Sequence, residues 1–381
     1  MDNLTHSLIG LAASKAGLDK LSPGTTTLCV LAANAPDSDI FVLIFGGRWA
    51  FLQNHRGITH SIAGTIALGI ILPLVFYAGD LLLSRIRGTT VRVRLGGLIL
   101  ASLVVTATHP LMDWTNNYGV RLLLPWNPRW FYGDFVFIID PFLWLILGGA
   151  AFLLTTKTRK HIVFWVVIAL VPSYLVLVGP GGPARLANET LIRLLWIAAM
   201  IVVVTLYRRK IGGRLGAKIA VAALAVATIY CGSLAAIHAV ALRQAKMEAL
   251  GIANKNTEQL LKVAAMPTVA NPTEWVCVME TDRAAYKFNL SLLHGQLGNA
   301  PLVRYEKPWA ANTAAITEAL SDRRSQIFMG FARFPVVRVV GEDCVSQTLV
   351  QFADLRYTEP GRDRGTFSLE VPVDCPLKGK P

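Results

Sequence analysis

The chain has 381 residues, of which 53% are hydrophobic and only 16% charged, with a mean hydropathy of +0.48; so apolar a composition excludes both an ordinary soluble globule and a disordered chain. The formal net charge of +13 comes from 37 Lys and Arg against 24 Asp and Glu. Its excess lies before residue 243, where 20 basic residues face 9 acidic ones, against 17 and 15 from 243 onward; a basic excess confined to the apolar part reports membrane topology and gives no direct nucleic-acid signal.

The first twenty residues lack a basic start and a long apolar stretch, so no cleavable signal is expected. Apolar runs predict a broken pair of helices near 5–18 and 24–46, then spans near 62–83, 95–113, 135–155, 162–178, 190–207 and 217–241. The intervening "SRIRGTTVRVR" (84–94), "TKTRK" (156–160) and "YRRKIGGRLGAK" (207–218) are short and basic, which places them in the cytoplasm. The alternate connections, 114–134 and 179–189, then face outward, and the first carries the interfacial aromatic group "WNPRWFYGDF". From about 243 the pattern changes to β-formers between Gly, Pro and Asp turns, in "VVRVV", "TLVQFADLRY" and "TFSLEVPV". The expected fold is mainly α: a polytopic helical membrane domain over 1–242, then a C-terminal extramembrane domain over 243–381 of mixed α/β or β character. That domain is expected to start with a helix over 243–265 and to lie on the outward, periplasmic side. None of the five cysteines makes a CxxC pair; Cys344 and Cys375 are in position to form a disulfide if their domain lies outside the cytoplasm.

Ionisable side chains in or beside membrane spans are costly and need partners, which directs attention to a small set. "THSLIG" and "THSIAG" echo one another around His6 and His60, and Thr108 precedes His109 in the same way. A threonine before a helix can cap its first amides and leave the following imidazole at the helix mouth; the bland reading is repeated helix-entry grammar. "APDSD" puts Asp37 and Asp39 two apart, on one face if the chain is extended. "HPLMD" puts His109 and Asp113 at i and i+4, neighbours on a helix. With His55 in "NHRGITHS" these give seven imidazoles and carboxylates, His6, Asp37, Asp39, His55, His60, His109 and Asp113. They exceed what one tetrahedral zinc ion needs, so more than one ion is allowed. Singly, each pair is also consistent with a cap or a buried hydrogen bond. Arg56 suits a phosphate oxygen beside bound cations, or a place among lipid headgroups. Asp134 and Asp140, in "GDFVFIIDP", are read first as carboxylates that hold a metal-binding imidazole, and otherwise as the cap of a broken helix. His161, His238 and His294 fall outside this set.

In chain order, "THSLIG", "PDSD", "HRGITHS", "HPLMDWTNNYGVRLLLPW" and "FIIDP" resemble the YdjM-type family of inner-membrane metal-dependent hydrolases, also described as LexA-binding. The resemblance covers about residues 1–180. It implies a helical membrane domain with a His/Asp metal site at those seven residues, similar to the helical folds of zinc-dependent phospholipase C and P1-type nucleases.

The expected activity is hydrolysis of a phosphoester or other ester of a lipid-like substrate by metal-activated water, with zinc as the leading divalent ion, Asp39 or Asp113 as proton acceptor and Arg56 steadying charge. The alternative is a non-catalytic scaffold or regulator whose metal is structural. A transporter is a third reading, but no paired half-repeat exists beyond the short echo. Expected partners are membrane lipid and an amphiphilic phosphoester substrate, with a protein partner for the C-terminal domain.

Overall fold

The structure, a computed structural model, describes residues 1–178, 189–293, 296–297, 302–307, 313–341, 347–362 and 365–374. The outward connection at 179–188, His294 and the Cys344–Cys375 pair lie outside the described residues. Two compact units are present: Met1–Ser38 with Arg56–His238 and Pro267–Pro272, and Asp39–His55 with Ala239–Met266 and Thr273–Pro381.

The first unit is helical. It contains α1 (Asn3–Lys15), α2 (Thr25–Asn34), α4 (Ile62–Arg87), α5 (Leu95–Trp114), α6 (Pro141–Thr155), α7 (Arg159–Leu177), α8 (Glu189–Arg208), the short α9 (Ile211–Leu215) and the start of α10 (Ala217–Lys255); α3 (Phe41–Asn54) belongs to the second unit. Six stretches among the described residues are long and apolar enough to cross a membrane: Thr25–Asn54, Ile62–Arg87, Leu95–Trp114, Arg159–Leu177, Thr190–Arg208 and Ala217–Lys255. The protein is a multi-pass membrane protein. Proline inside α4 (Pro73), α5 (Pro110) and α7 (Pro172) is tolerable there because neighbouring groups re-satisfy the freed carbonyls.

Three expected helices have different bounds. The run expected over 24–46 is divided: α2 gives way to a 3-10 turn over Ala35–Ile40, and Gly47, at φ +72°, interrupts α3. The span expected over 135–155 is helical only from Pro141, so at about 1.5 Å per residue it is too short for a roughly 30 Å hydrocarbon layer. The helix expected over 243–265 is instead the end of α10, which runs unbroken to Lys255, and strand β1 starts at Leu260.

Small side chains let α1, α2 and α5 pack closely. Cys29, Ala32 and Ala33 of α2 are fully buried against Ala101 and Val105 of α5. Gly10 of α1 faces α2 so closely that an added Cβ would lie 2.5 Å from the Cys29 carbonyl oxygen. A second core joins Leu8, Ile9 and Ala12 of α1 to Trp144, Leu147 and Ala151 of α6.

The second unit carries two antiparallel sheets, as the alternating C-terminal pattern predicts. One runs β1 (Leu260–Thr268), β2 (Asn271–Thr281), β3 (Ala284–Ser291) and β4 (Gln296–Leu297), with β5 (Val303–Glu306) on β3. The other is β6 (Pro335–Val340), β7 (Gln347–Asp354) and β8 (Ser368–Asp374), covered by α11 (Thr313–Ser321) and α12 (Arg323–Phe331) over a core of Phe328, Val350, Phe352 and Val371. Glu258, just past α10, accepts hydrogen bonds from Thr281 Oγ1 at 2.7 Å, Tyr286 Oη at 2.9 Å and Arg304 Nη2 at 2.9 Å.

Burial raises the pKa of that carboxyl, but the three donors outweigh it and hold it below the ordinary value. A depressed folded-state pKa contributes stability that is present above the unfolded value and lost as pH falls through the folded one. Glu258→Gln is therefore expected to flatten the acid-side loss of protection below about pH 4, read by amide hydrogen exchange in β2 and β3. An unchanged acid limb would assign the loss to other carboxylates.

Candidate metal centre

Four side chains from three parts of the first unit converge. Asp37 lies in the 3-10 turn after α2; His60 lies in a second 3-10 turn, Ile58–His60, directly before α4; His109 and Asp113 share one face of α5. One donor atom from each lies within 4.8 Å of every other. His60 Nε2 is 3.3 Å from Asp37 Oδ1 and 3.2 Å from Asp113 Oδ2; His109 Nε2 is 3.5 Å and 3.4 Å from the same atoms. The two Nε2 atoms are 3.1 Å apart. Four donors placed tetrahedrally at the roughly 2.0–2.1 Å of zinc bonds would be separated by about 3.3 Å, so the spacing fits a single small divalent ion.

The proton inventory supports the same conclusion. His109 Nδ1 is 2.6 Å from the Ala33 carbonyl oxygen, which can only accept, so Nδ1 carries a proton. In the neutral ring, Nε2 then offers a lone pair to a space already bounded by two carboxylates and a second imidazole. Such a group of donor atoms could hold a cation, and an imidazole fixed by a backbone carbonyl is the usual support for a metal ligand.

His6 stands beside this group. Its ring stacks on His109 with centroids 3.6 Å apart, and its Nε2 is 3.5 Å from Asp113 Oδ1. It is fully buried, yet neither ring nitrogen has a hydrogen-bond partner among the described residues. A buried polar atom left this way costs free energy, which a cation shared with Asp113 would remove.

Arg56 is the main protein counter-charge. Its Nη2 lies 2.9 Å from Asp113 Oδ1, while Nη1 donates to Asn116 Oδ1 at 2.9 Å and to the Gly119 carbonyl at 3.3 Å. The guanidinium covers the Tyr118 ring at 4.7 Å. The Met1 ammonium group also contacts Asp113. Arg56 has φ +50°, an uncommon value for a residue with a side chain, and such strain persists only where surroundings fix it. The residue is 3% exposed, and its bonds to Asn116 and Gly119 tie the "HRG" turn to the loop after α5.

The Thr-His pairs do not act as caps. Asp2 caps α1, Ser61 caps α4, and Thr108 lies within α5. The echo "THSxxG" has another physical reason, its glycine. Four residues after its histidine, Gly10 meets α2, and an added Cβ on Gly64 would lie 1.8 Å from the Ile58 carbonyl oxygen. Each glycine lets the backbone close in where a histidine must be placed.

Asp39 and His55 belong to the second unit, where His55 Nδ1 is 3.1 Å from Asp39 Oδ2. Asp140 does not hold an imidazole. Its carboxylate accepts from the Phe142 and Leu143 amides at 2.9 and 3.0 Å, capping α6, and from Tyr230 Oη at 3.0 Å. Asp134 is buried at φ +61°. Asn116, in the loop after α5, was not among the expected site residues; its Oδ1 also accepts the Tyr118 amide at 2.9 Å. An asparagine in a polar loop carries no spacing signal that would have marked it.

Comparison with known proteins places the clustered residues within a family match. Residues 1–180 match the family described as YdjM inner membrane protein, which covers all four clustered residues together with His6 and Arg56. The chain is 27% identical over 157 residues to the uncharacterized protein YfhP of Bacillus subtilis (strain 168), a match covering 38% of this chain and 43% of that protein. No solved structure matches.

Because Arg56 reaches several acceptors with a planar fork, lysine cannot replace it. Arg56→Lys is expected to weaken the affinity of this cluster for a divalent ion, titrated as zinc, about 10- to 100-fold, the usual effect of removing a ligand's support. Competition against a chromophoric chelator measures this; unchanged affinity would show that the fork does not position Asp113.

Proposed function

We propose that this protein is a membrane-bound metal-dependent hydrolase of a phosphoester or other ester in a lipid-like substrate, with zinc as the leading metal. The observation that carries the reading is the convergence of donor atoms of Asp37, His60, His109 and Asp113 within 4.8 Å of one another, with His109 locked by the Ala33 carbonyl. A divalent ion held there supplies Lewis acidity and a water acidified toward neutral pH.

The protein groups have separable tasks. His60, His109 and Asp113 have side chains no more than 1% exposed, whereas that of Asp37 is 18% exposed, so the cluster opens at Asp37. Asp37 is therefore the carboxylate best placed to meet an approaching substrate and to accept the proton of the attacking water. Asp113 is neutralised and oriented by Arg56, which makes Arg56 a positioning residue, with its guanidinium turned to protein acceptors. Asp39 is engaged by His55, so the proton-accepting role first given to Asp39 or Asp113 passes to Asp37. The aromatic and apolar connection between α5 and α6, with Trp126 79% exposed, supports a site at the membrane interface, where Trp is favoured.

A second reading is a structural metal in a membrane scaffold. It is favoured by the four protein donors, since a four-coordinate zinc so held has no open position unless it expands or releases a carboxylate. The basic connections near 84–94, 156–160 and 207–218 support a cytoplasmic side there and a periplasmic C-terminal domain in a bacterial inner membrane.

Metal content by elemental analysis and phosphodiesterase turnover on lipid and nucleotide phosphoesters separate these readings. Wild type is expected to hold zinc and turn over substrate. His60→Ala is expected to lose both, while Asp37→Asn, which keeps an oxygen donor but loses the basic carboxylate, is expected to weaken metal retention less than His60→Ala and to lack turnover even when metal-loaded. Metal-dependent folding with no turnover on any ester would favour the scaffold, and metal-free wild type would remove both readings.

A further inference from the structure

Away from the His/Asp cluster, the first unit contains a part-enclosed cavity of about 130 Å³ between α1, α6, α7 and α8. Its floor is Leu8, Trp144 and Trp196, all at most 9% exposed; its rim includes Val166 and Val204, at 52% and 44%. The rim belongs to α7 and α8, two of the helices long and apolar enough to cross the bilayer, so lipid hydrocarbon is the medium that meets the mouth.

The polar atoms near the cavity are already satisfied. Trp144 Nε1 donates to Thr5 Oγ1 at 2.9 Å and Asp2 Oδ1 at 3.1 Å, Trp165 Nε1 to Thr155 Oγ1 at 2.9 Å, and Trp196 Nε1 to Ser173 Oγ at 3.2 Å. Three indoles thus present only ring carbon to the space. An occupant with a headgroup or a peptide bond would find no hydrogen-bond partner there and would forfeit those it had in water. The volume is close to that of apolar cavities of roughly 150 Å³ that stay dry and take up benzene, enough for part of a hydrocarbon chain. The wall is also notched: a Cβ added at Gly148 of α6 would have no neighbour nearer than Leu8 Cδ1, at 3.8 Å.

We propose that this cavity binds one acyl chain of a membrane lipid as a resident ligand, independent of the metal chemistry above. Leu4 and Leu8 line it at i and i+4 of α1, and His6, two residues from each, lies toward the other side of that helix. A chain in the cavity therefore braces α1 from behind while His6 is held against Asp113. The ligand positions the helix and takes no part in bond cleavage.

The test uses the full chain in a sugar-headgroup detergent, stripped of lipid and then supplied with dipalmitoyl phosphatidylglycerol or, in a second arm, palmitic acid. Native mass spectrometry counts the retained ligand, and a dibrominated fatty acid reports contact by quenching tryptophan fluorescence. Wild type is expected to retain one chain-bearing ligand per protein, and the arm that does so identifies the source. Gly148→Leu, which fills the notch, is expected to weaken retention about tenfold, equivalent to roughly two buried methylenes, and to relieve quenching. Gly148→Ala, the milder change, is expected to fall between them and decides the matter if the leucine variant does not fold. Retention of detergent only, no ligand above micelle background, or retention and quenching unchanged in the folded variants would overturn the proposal.

Discussion

The Asp113 carboxylate is the constraint around which the first unit is arranged. One oxygen faces the Nε2 atoms of His60 and His109, and the other meets Arg56 and lies within 3.5 Å of His6. A carboxylate 1% exposed is tolerable only when its charge is balanced and its lone pairs are occupied. The charge is balanced by Arg56 from the "HRG" turn and the Met1 ammonium, while α1 brings His6 and the turn before α4 brings His60 to the same carboxylate. Each must approach α5 closely, and the backbone is adapted to permit it, with Arg56 at φ +50° and Gly64 directly over the Ile58 carbonyl.

The same constraint relates packing to chemistry. The alanine-rich face between α2 and α5 brings the Ala33 carbonyl to His109 Nδ1 and thereby selects the proton position that leaves Nε2 facing the cluster. A bulkier α2 face would separate these groups. It would release the imidazole to rotate, and a ligand that rotates loses the pre-organisation on which metal affinity depends. Helix packing in this unit is therefore part of the site and does not merely support it.

Much of this was legible in the amino-acid pattern. His109 and Asp113 at i and i+4 must share a face once the run is helical, and the cost of ionisable groups in apolar segments marks Asp37, Asp39, His55, His60 and His6 alike as candidate partners before any fold is known. The C-terminal strands follow from alternation and turn residues. The helix bounds were less accessible: nothing local distinguishes an apolar helix that ends at residue 255 from one that ends earlier, or shows that helix starts only at Pro141 within the apolar run 135–155. The role of Asp140 was ambiguous for a similar reason, since an aspartate before a proline reads as a cap and as an imidazole partner equally well until its neighbours are known.

Sequence alone determined that the chain enters a membrane repeatedly, that a β-rich region follows the helices, and that seven imidazoles and carboxylates are candidate metal ligands, because hydropathy, alternation and the cost of buried charge are properties of local composition. Only tertiary structure decided which of those groups share one point, that Arg56 turns inward to Asp113, Asn116 and Gly119, and that Asp39 pairs with His55. Those outcomes depend on which backbones can approach within a few ångströms. That is set by long-range packing of small residues such as Gly10, Ala33 and Gly64, whose neighbours are distant in the chain.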